Sequence, residues 1–448
     1  MRKIVLMTLV AGLVAACGGG SGGPAAISTT DECSNTGQKD FVLQALYDWY
    51  LWNDLLPGNI NVADYTTPED LVARVTADFG PVDANGDPLD RFSFINSAQA
   101  DQQFFGEGRY EGFGFSRREV ATDDVRLVRV FVDSPAGAGG LGRGQRILSL
   151  NGRTIADLEA NEGIDAFFDN TDTVDFEMRR LDGTEFTSRI TRDIVTINPL
   201  PQWRVIDAGG GRMVGYVELA TFISTADPVF ATVFADFQAA NVSDVIIDLR
   251  YNGGGLVSTA ELLGDYLGGF IAENLTFSRT EFNADRAGQN NSEEFFERQT
   301  QSVNLSSLVV IASRSTASAS ELVTNSMIPF ANVQIVGDRT FGKPVGQIGL
   351  EFCEKILRPT AFKTVNADGD GDYFDGLPLG AGCSAADDLS LPVGDDNDPN
   401  IVKALGYLDT GACPVSSVPG SQEKASLNVE PERPDRRGPP HREILDAY

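Results

Sequence analysis

A chain of 448 residues, 42% hydrophobic and 22% charged, has the length and apolar content for two or three folded domains. Its 64 acidic residues against 35 basic ones leave a net charge of −29, which argues against nucleic acid and anionic membrane surfaces as partners. The single histidine, His441, lies in a proline-rich tail, so the inventory disfavours both a Ser-His-Asp triad and a His-ligated zinc centre.

Residues 1–16 read as a targeting segment: Arg2 and Lys3 precede an apolar run too short to span a bilayer. Residues 17–37 are rich in Gly, Ser, Thr and Pro and read as a flexible tether. An N-terminal helical region is expected over 38–107. Its first helix carries the stripe Phe41, Leu43, Leu46, Tyr47, Tyr50 and Leu51, with the aromatics as core rather than a ligand cage. A second helix starts at Thr67, with Pro68 in its first turn. Residues 108–195 then show strand-like runs at 125–132, 147–150 and 174–179, separated by a glycine-rich stretch over 134–148. That stretch lacks the context and the lysine of a phosphate-binding loop.

From 200 to 410 the strands become more apolar and alternate with helices. Strands are expected at 214–222, 245–249, 308–312 and 333–336, and helices at 230–239, 258–267 and 320–330. This alternation predicts an α/β layered core, so the fold class is α/β, mixed and multi-domain. The Asp-rich stretches 83–87 and 368–372 do not complete a calcium loop: counted from Asp368, the sixth position is Tyr373 and the twelfth Leu379. They read as solvated turns, and no metal or other cofactor is expected. Residues 414–448 read as a disordered tail.

The chemistry concentrates around Thr316-Ala317-Ser318-Ala319-Ser320-Glu321, between an apolar strand and a helix. Small neighbours let a substrate backbone approach Ser318, and the helix N-terminus offers N–H groups to an oxyanion. Without a usable histidine, another group must activate Ser318. Lys343 follows in Thr340-Phe341-Gly342-Lys343-Pro344, with Gln347 four residues on. Earlier, Gly253, Gly254 and Gly255 follow the strand 245–249 and permit close backbone approach. Taken singly, Ser318 is an ordinary helix cap and Lys343 a solvated lysine. Their combination and flanking residues argue for a site.

These residues resemble the active site of the C-terminal processing peptidases, or tail-specific proteases. The resemblance implies Ser318 as nucleophile, Lys343 as its general base and Gln347 as the residue orienting the lysine. It also implies an oxyanion hole from Ala319 N–H and one of Gly253, Gly254 or Gly255, in a crotonase/ClpP-like core. Gly253 stands where the family commonly has Pro, and Asp90-Arg91-Phe92-Ser93 is similar to the family's Asp-x-x-Ser segment. The region 108–195 resembles a PDZ domain. Gly112-Phe113-Gly114-Phe115 would then be its carboxylate-binding loop, although Gln145 replaces the usual Asp. The activity implied is cleavage of proteins near their free C-termini through an acyl-enzyme. A catalytically silent binder of peptide tails is the alternative, and the joint presence of Ser318, Lys343 and Gln347 speaks against it. An α/β-hydrolase esterase lacks its G-x-S-x-G and its histidine.

Val14-Ala15-Ala16-Cys17 is similar to a bacterial lipobox, implying lipidation at Cys17. In a Gram-negative organism the expected place is the periplasmic face of the outer membrane, with membrane contact only through the anchor. Four further cysteines, Cys33, Cys353, Cys383 and Cys413, make an even number in an exported chain and predict two disulfides, with all three pairings open. Cys17→Ser is expected to move the protein out of the membrane fraction and abolish lipid labelling; unchanged fractionation and labelling would refute the anchor.

Overall fold

The structure, a computed structural model, describes residues 32–414. The targeting segment, Cys17, most of the tether, His441 and the tail lie outside the described residues. The protein is mixed α/β and multi-domain.

A five-stranded sheet runs in the order Gln202–Asp207, Met213–Glu218, Asp244–Asp248, Ser307–Ala312, Asn332–Gly337. The first pair is antiparallel and the other three pairs are parallel. Parallel strands are covered on both faces and read as continuous apolar runs. Asp244–Asp248 accordingly is buried at every position. Val245, Ile247, Val310 and Ile335 join one core with Phe230, Phe234, Leu263 and Leu322, from the helices Asp227–Ala239, Val257–Gly268 and Ala319–Met327. Ile246, Val309, Ile311 and Val336 join a second core with Ile401, Ala404 and Leu408, from the helix Pro399–Thr410. The strand expected to reach residue 222 stops at Glu218. Beyond it the chain leaves the ladder, because Ala220 N–H donates to Pro199 O and Phe222 N–H to Gly254 O.

Helices Asn35–Trp49 and Pro68–Phe79 pack through Val42, Leu46, Leu71 and Val75 onto Leu357. The second begins with Thr67 accepting the Asp70 N–H and Pro68 in the first turn. Strand Phe94–Ser97 pairs antiparallel with Lys355–Arg358, which also pairs with Leu350–Phe352. Two segments far apart in sequence therefore build one small sheet. A further sheet orders Ser292–Phe295, Thr276–Phe282, Thr360–Val365 and Val345–Gln347.

The region between is a β unit: Phe115–Ala121, Asp124–Val130, Arg146–Leu150, Thr173–Arg179 and Glu185–Thr191 in that order, with helices Ile155–Asn161 and Ile164–Asp169. Phe113, Phe115, Phe168 and Phe176 fill its core. Ion pairs join it to the layered core: Arg129 to Glu218 and Arg143 to Asp387, each at 2.7 Å.

The structure chooses one of the three cysteine pairings. Cys383 bonds Cys413, tying the helix Pro399–Thr410 down beside the sheet. Cys33 bonds Cys353, fixing the start of the first helix to the turn at Cys353-Glu354, where both residues have positive φ. Non-reducing peptide maps are expected to recover these two linked pairs and no other. Replacing Cys33 and Cys353 together by Ser should lower the unfolding free energy by about 2–5 kcal/mol in urea titrations; no loss of stability would contradict that role.

Candidate active site

Three neighbouring parallel strands, Asp244–Asp248, Ser307–Ala312 and Asn332–Gly337, deliver the candidate residues. Loops beyond their C-terminal ends carry Gly253–Gly255, Ser318 and Lys343, the position where open α/β sheets generally place ligands.

Ser318 is the residue before the helix Ala319–Met327 and takes φ 55°, ψ −118°. Positive φ is uncommon outside glycine and persists only where surroundings enforce it. Here Thr316 Oγ donates to Leu249 O at 2.7 Å, and both Ala317 N–H and Ser320 Oγ donate to Asn252 O at 3.1 Å. Ser318 itself stays half-buried.

Glu321, fully buried, closes the arrangement. Its Oε2 accepts the N–H of Ser318 at 2.9 Å and of Lys343 at 2.8 Å. Oε1 accepts the N–H of Gly342 at 2.7 Å and the hydroxyl of Thr340. Burial pushes the carboxyl pKa up, while the Thr340 hydroxyl and the three backbone donors pull it back. Glu321 had a legible signal, the Ser-x-x-Glu spacing of a capping box. The sequence carries no signal that the same carboxylate also reaches the lysine loop.

Lys343 is only 4% exposed. Its Nζ donates to Gln347 Oε1 at 2.9 Å and lies 5.3 Å from the centre of the Phe92 ring. Gln347 Nε2 in turn donates to Phe92 O and, at 3.1 Å, to Arg358 O. Ser318, Lys343 and Gln347 are thus drawn together, the first two through Glu321.

Among the three glycines, Gly254 is the one against Ser318. A Cβ there would sit 2.7 Å from Ser318 Cβ and 3.0 Å from Ala319 N, so no larger residue fits. Its N–H is donated to Asn252 Oδ1 at 2.9 Å. Gly255 instead backs onto Phe222, and Gly253 lies buried beside them. The loop Gly112-Phe113-Gly114-Phe115 belongs to the β unit. Gly112 pairs with Asp193, and Phe113 and Phe115 point into the core, so only backbone remains to meet a ligand. Gly114 has φ 90° and presses on Ser134. Gln145 Nε2 donates to Gly140 O at 3.3 Å.

Two family models match this chain: peptidase family S41 over residues 213–374, and the peptidase S41 N-terminal domain over 37–94. These two stretches belong to peptidase family S41. The matched stretches contain Asp90, Phe92, Gly254, Ser318, Lys343 and Gln347, and the β unit lies between them. Among S41-related proteins, the chain is 23% identical over 314 residues to carboxy-terminal processing protease CtpA of Bacillus subtilis, covering 66% of this chain and 64% of that one. It is 25% identical over 269 residues to chloroplastic carboxyl-terminal-processing peptidase 3 of Arabidopsis thaliana, covering 58% and 50%. It therefore spans about half to two thirds of these relatives. Its fold is shared with an assigned S41 protease from Bacteroides fragilis, at a TM-score of 0.64 and 22% identity over 82% of this chain and 97% of that one.

Glu321→Gln sets an amide NH₂ against N–H donors that need an acceptor. It is expected to slow labelling of Ser318 by a fluorophosphonate about 10²-fold and to lower stability by about 1–3 kcal/mol. A folded variant with parental labelling and melting would show that Glu321 does not organise the site.

Proposed function

We propose that this protein is a serine endopeptidase of the exported compartment that cuts proteins near their C-termini, using Ser318 and Lys343. The observation that carries the reading is the single Glu321 oxygen that receives both the Ser318 and the Lys343 N–H. Serine is a weak nucleophile and needs a base. A solvated lysine has a pKa of about 10.4 and is protonated at neutral pH. Desolvation disfavours the ammonium, and Lys343 is buried.

In this mechanism the neutral Lys343 amine takes the Ser318 hydroxyl proton as Oγ attacks the scissile carbonyl. The C=O electrons move onto oxygen, which Ala319 N–H meets at the helix start. Gly254 N–H joins by exchanging Asn252 Oδ1 for the oxyanion. As the C–N bond breaks, Lys343 passes its proton to the leaving amine. Water, with Lys343 again as base, then hydrolyses the acyl-enzyme. No cofactor takes part.

Recognition of the tail is assigned to the β unit. The outer edge of Phe115–Ala121 pairs with no other strand among the described residues, which leaves it able to take an added peptide strand. Backbone N–H groups of Gly112-Phe113-Gly114-Phe115 would hold the terminal carboxylate. In a Gram-negative organism, an anchor at Cys17 would keep the enzyme on the periplasmic face of the outer membrane.

Turnover of an unfolded substrate tests the reading. Ser318→Ala and Lys343→Arg should both abolish it, since a guanidinium stays protonated. Parental turnover should rise with pH as the lysine loses its proton. Peptides ending in a free acid should be cut faster than their C-terminal amides. An active Ser318→Ala or Lys343→Arg variant would overturn the mechanism, and equal handling of acid and amide would remove the β unit from tail recognition. Binding of tails without any turnover would favour the silent binder.

A further inference from the structure

We propose that Asp90, in the N-terminal region, is a positioning residue for the base: its carboxylate shapes the turn that aims the Phe92 carbonyl at Gln347, and so sets the Lys343 amine. The proposal rests on the Ser318–Lys343 reading above.

Lys343 does not stand on its own loop alone. Its Nζ donates to Gln347 Oε1, and the amide plane of Gln347 is fixed by what its Nε2 meets. One acceptor, Arg358 O, comes from the same part of the chain as Gln347. The other, Phe92 O, comes from a turn 255 residues away in sequence. The Phe92 ring also lies over Lys343 Nζ and packs edge-on against Phe341 at 6.1 Å. The 90–93 turn thus addresses the lysine twice, by a carbonyl through Gln347 and by a ring directly.

Asp90 forms that turn. It is fully buried, and its Oδ1 accepts the N–H of Phe92 at 2.9 Å and of Ser93 at 3.1 Å. Such a side-chain-to-backbone turn is a known use of Asp. Oδ1 also accepts the Thr360 hydroxyl at 3.0 Å, and Oδ2 accepts the Ser93 hydroxyl at 2.6 Å. Ser93 Oγ then accepts Thr360 N–H at 2.9 Å. Thr360 is the residue opposite Gln347 across the adjoining strands. The turn and Gln347 therefore register on one shared residue. A carboxylate buried to this depth is costly unless its acceptor sites are filled. The four hydrogen bonds above come from the turn and from Thr360, and the Tyr50 hydroxyl also faces the carboxylate, which sets the geometry between turn and strand.

A double-mutant cycle of Asp90→Ala and Gln347→Ala, measured by peptide turnover well below the melting temperature, separates positioning from mere stabilisation. Each single variant is expected to lower kcat about 10- to 100-fold with KM nearly unchanged. The double variant should lose much less than the product of the two single losses, because the carbonyl path from Asp90 to the amine runs through Gln347. Asp90→Asn retains one carbonyl oxygen and should fall between parent and Asp90→Ala, keeping the test usable if Asp90→Ala does not fold. Losses that multiply in the cycle, or a folded Asp90→Asn with parental kcat, overturn the proposal. Lys343→Ala runs alongside: if it is inactive while the losses multiply, only the role of Asp90 fails. If it stays active, the dyad itself fails, and this proposal with it.

Discussion

A buried carboxylate with four donors is the constraint on which the site depends. Glu321 is paid out to two segments that leave adjacent strands: one oxygen takes Ser318 and Lys343, the other Gly342 and Thr340. Separating the segments would strand backbone N–H groups and a carboxylate away from water, at a cost of about 1–3 kcal/mol for each unmet group. That coupling explains how Ser318 can hold a positive φ that its side chain disfavours. The same bonds that sustain the strain fix where the lysine loop begins.

Around this centre the layers divide the work. The parallel strands, apolar on both faces, give a rigid floor whose C-terminal ends aim three loops at one place. Arg250, buried just before the glycine turn, pairs with Asp248 and Asp398 at 2.7 Å each, tying that turn to the start of the helix Pro399–Thr410. The β unit meets the same turn from outside. Burial alone would raise the pKa of Asp387, but Arg143, Arg118 and Arg250 together bring it down to about 2. Arg118 and Arg143 belong to the β unit and Arg250 to the core, so the ionised Asp387 acts as a shared acceptor at the joint. Tyr251, the neighbour of Asn252, donates its hydroxyl to the same carboxylate.

The N-terminal helices look in sequence like a separate region, yet their strand Phe94–Ser97 completes a sheet begun by residues 350–358. Leu51 N–H donates to Thr360 O, and Asn283 Nδ2 to Tyr50 O, so the contact continues past the sheet. Cys33–Cys353 closes this association covalently. The lysine loop thereby borrows its outer support from the far end of the chain.

Much of this was legible in the residues. Period and apolar runs marked the strands 245–249 and 308–312, Thr67 and Pro68 marked a helix start, and the inventory with one histidine turned attention from triads to Ser318 and Lys343. These features are local: spacing and side-chain chemistry along a few residues suffice to show them. What tertiary structure alone decided is non-local. Pairing of Cys33 with Cys353, 320 positions apart, depends on which surfaces meet. The end of the strand at Glu218 depends on acceptors offered by Pro199 and Gly254. That Gly254 rather than Gly255 lies against Ser318 depends on how the turn folds back on the nucleophile loop, and identical residues in a row carry no such information. Glu321 stood three residues after Ser318, at the spacing of a capping box. Its hold on Lys343 exists only because two strands lie side by side in a sheet, a neighbourhood that a linear pattern does not encode.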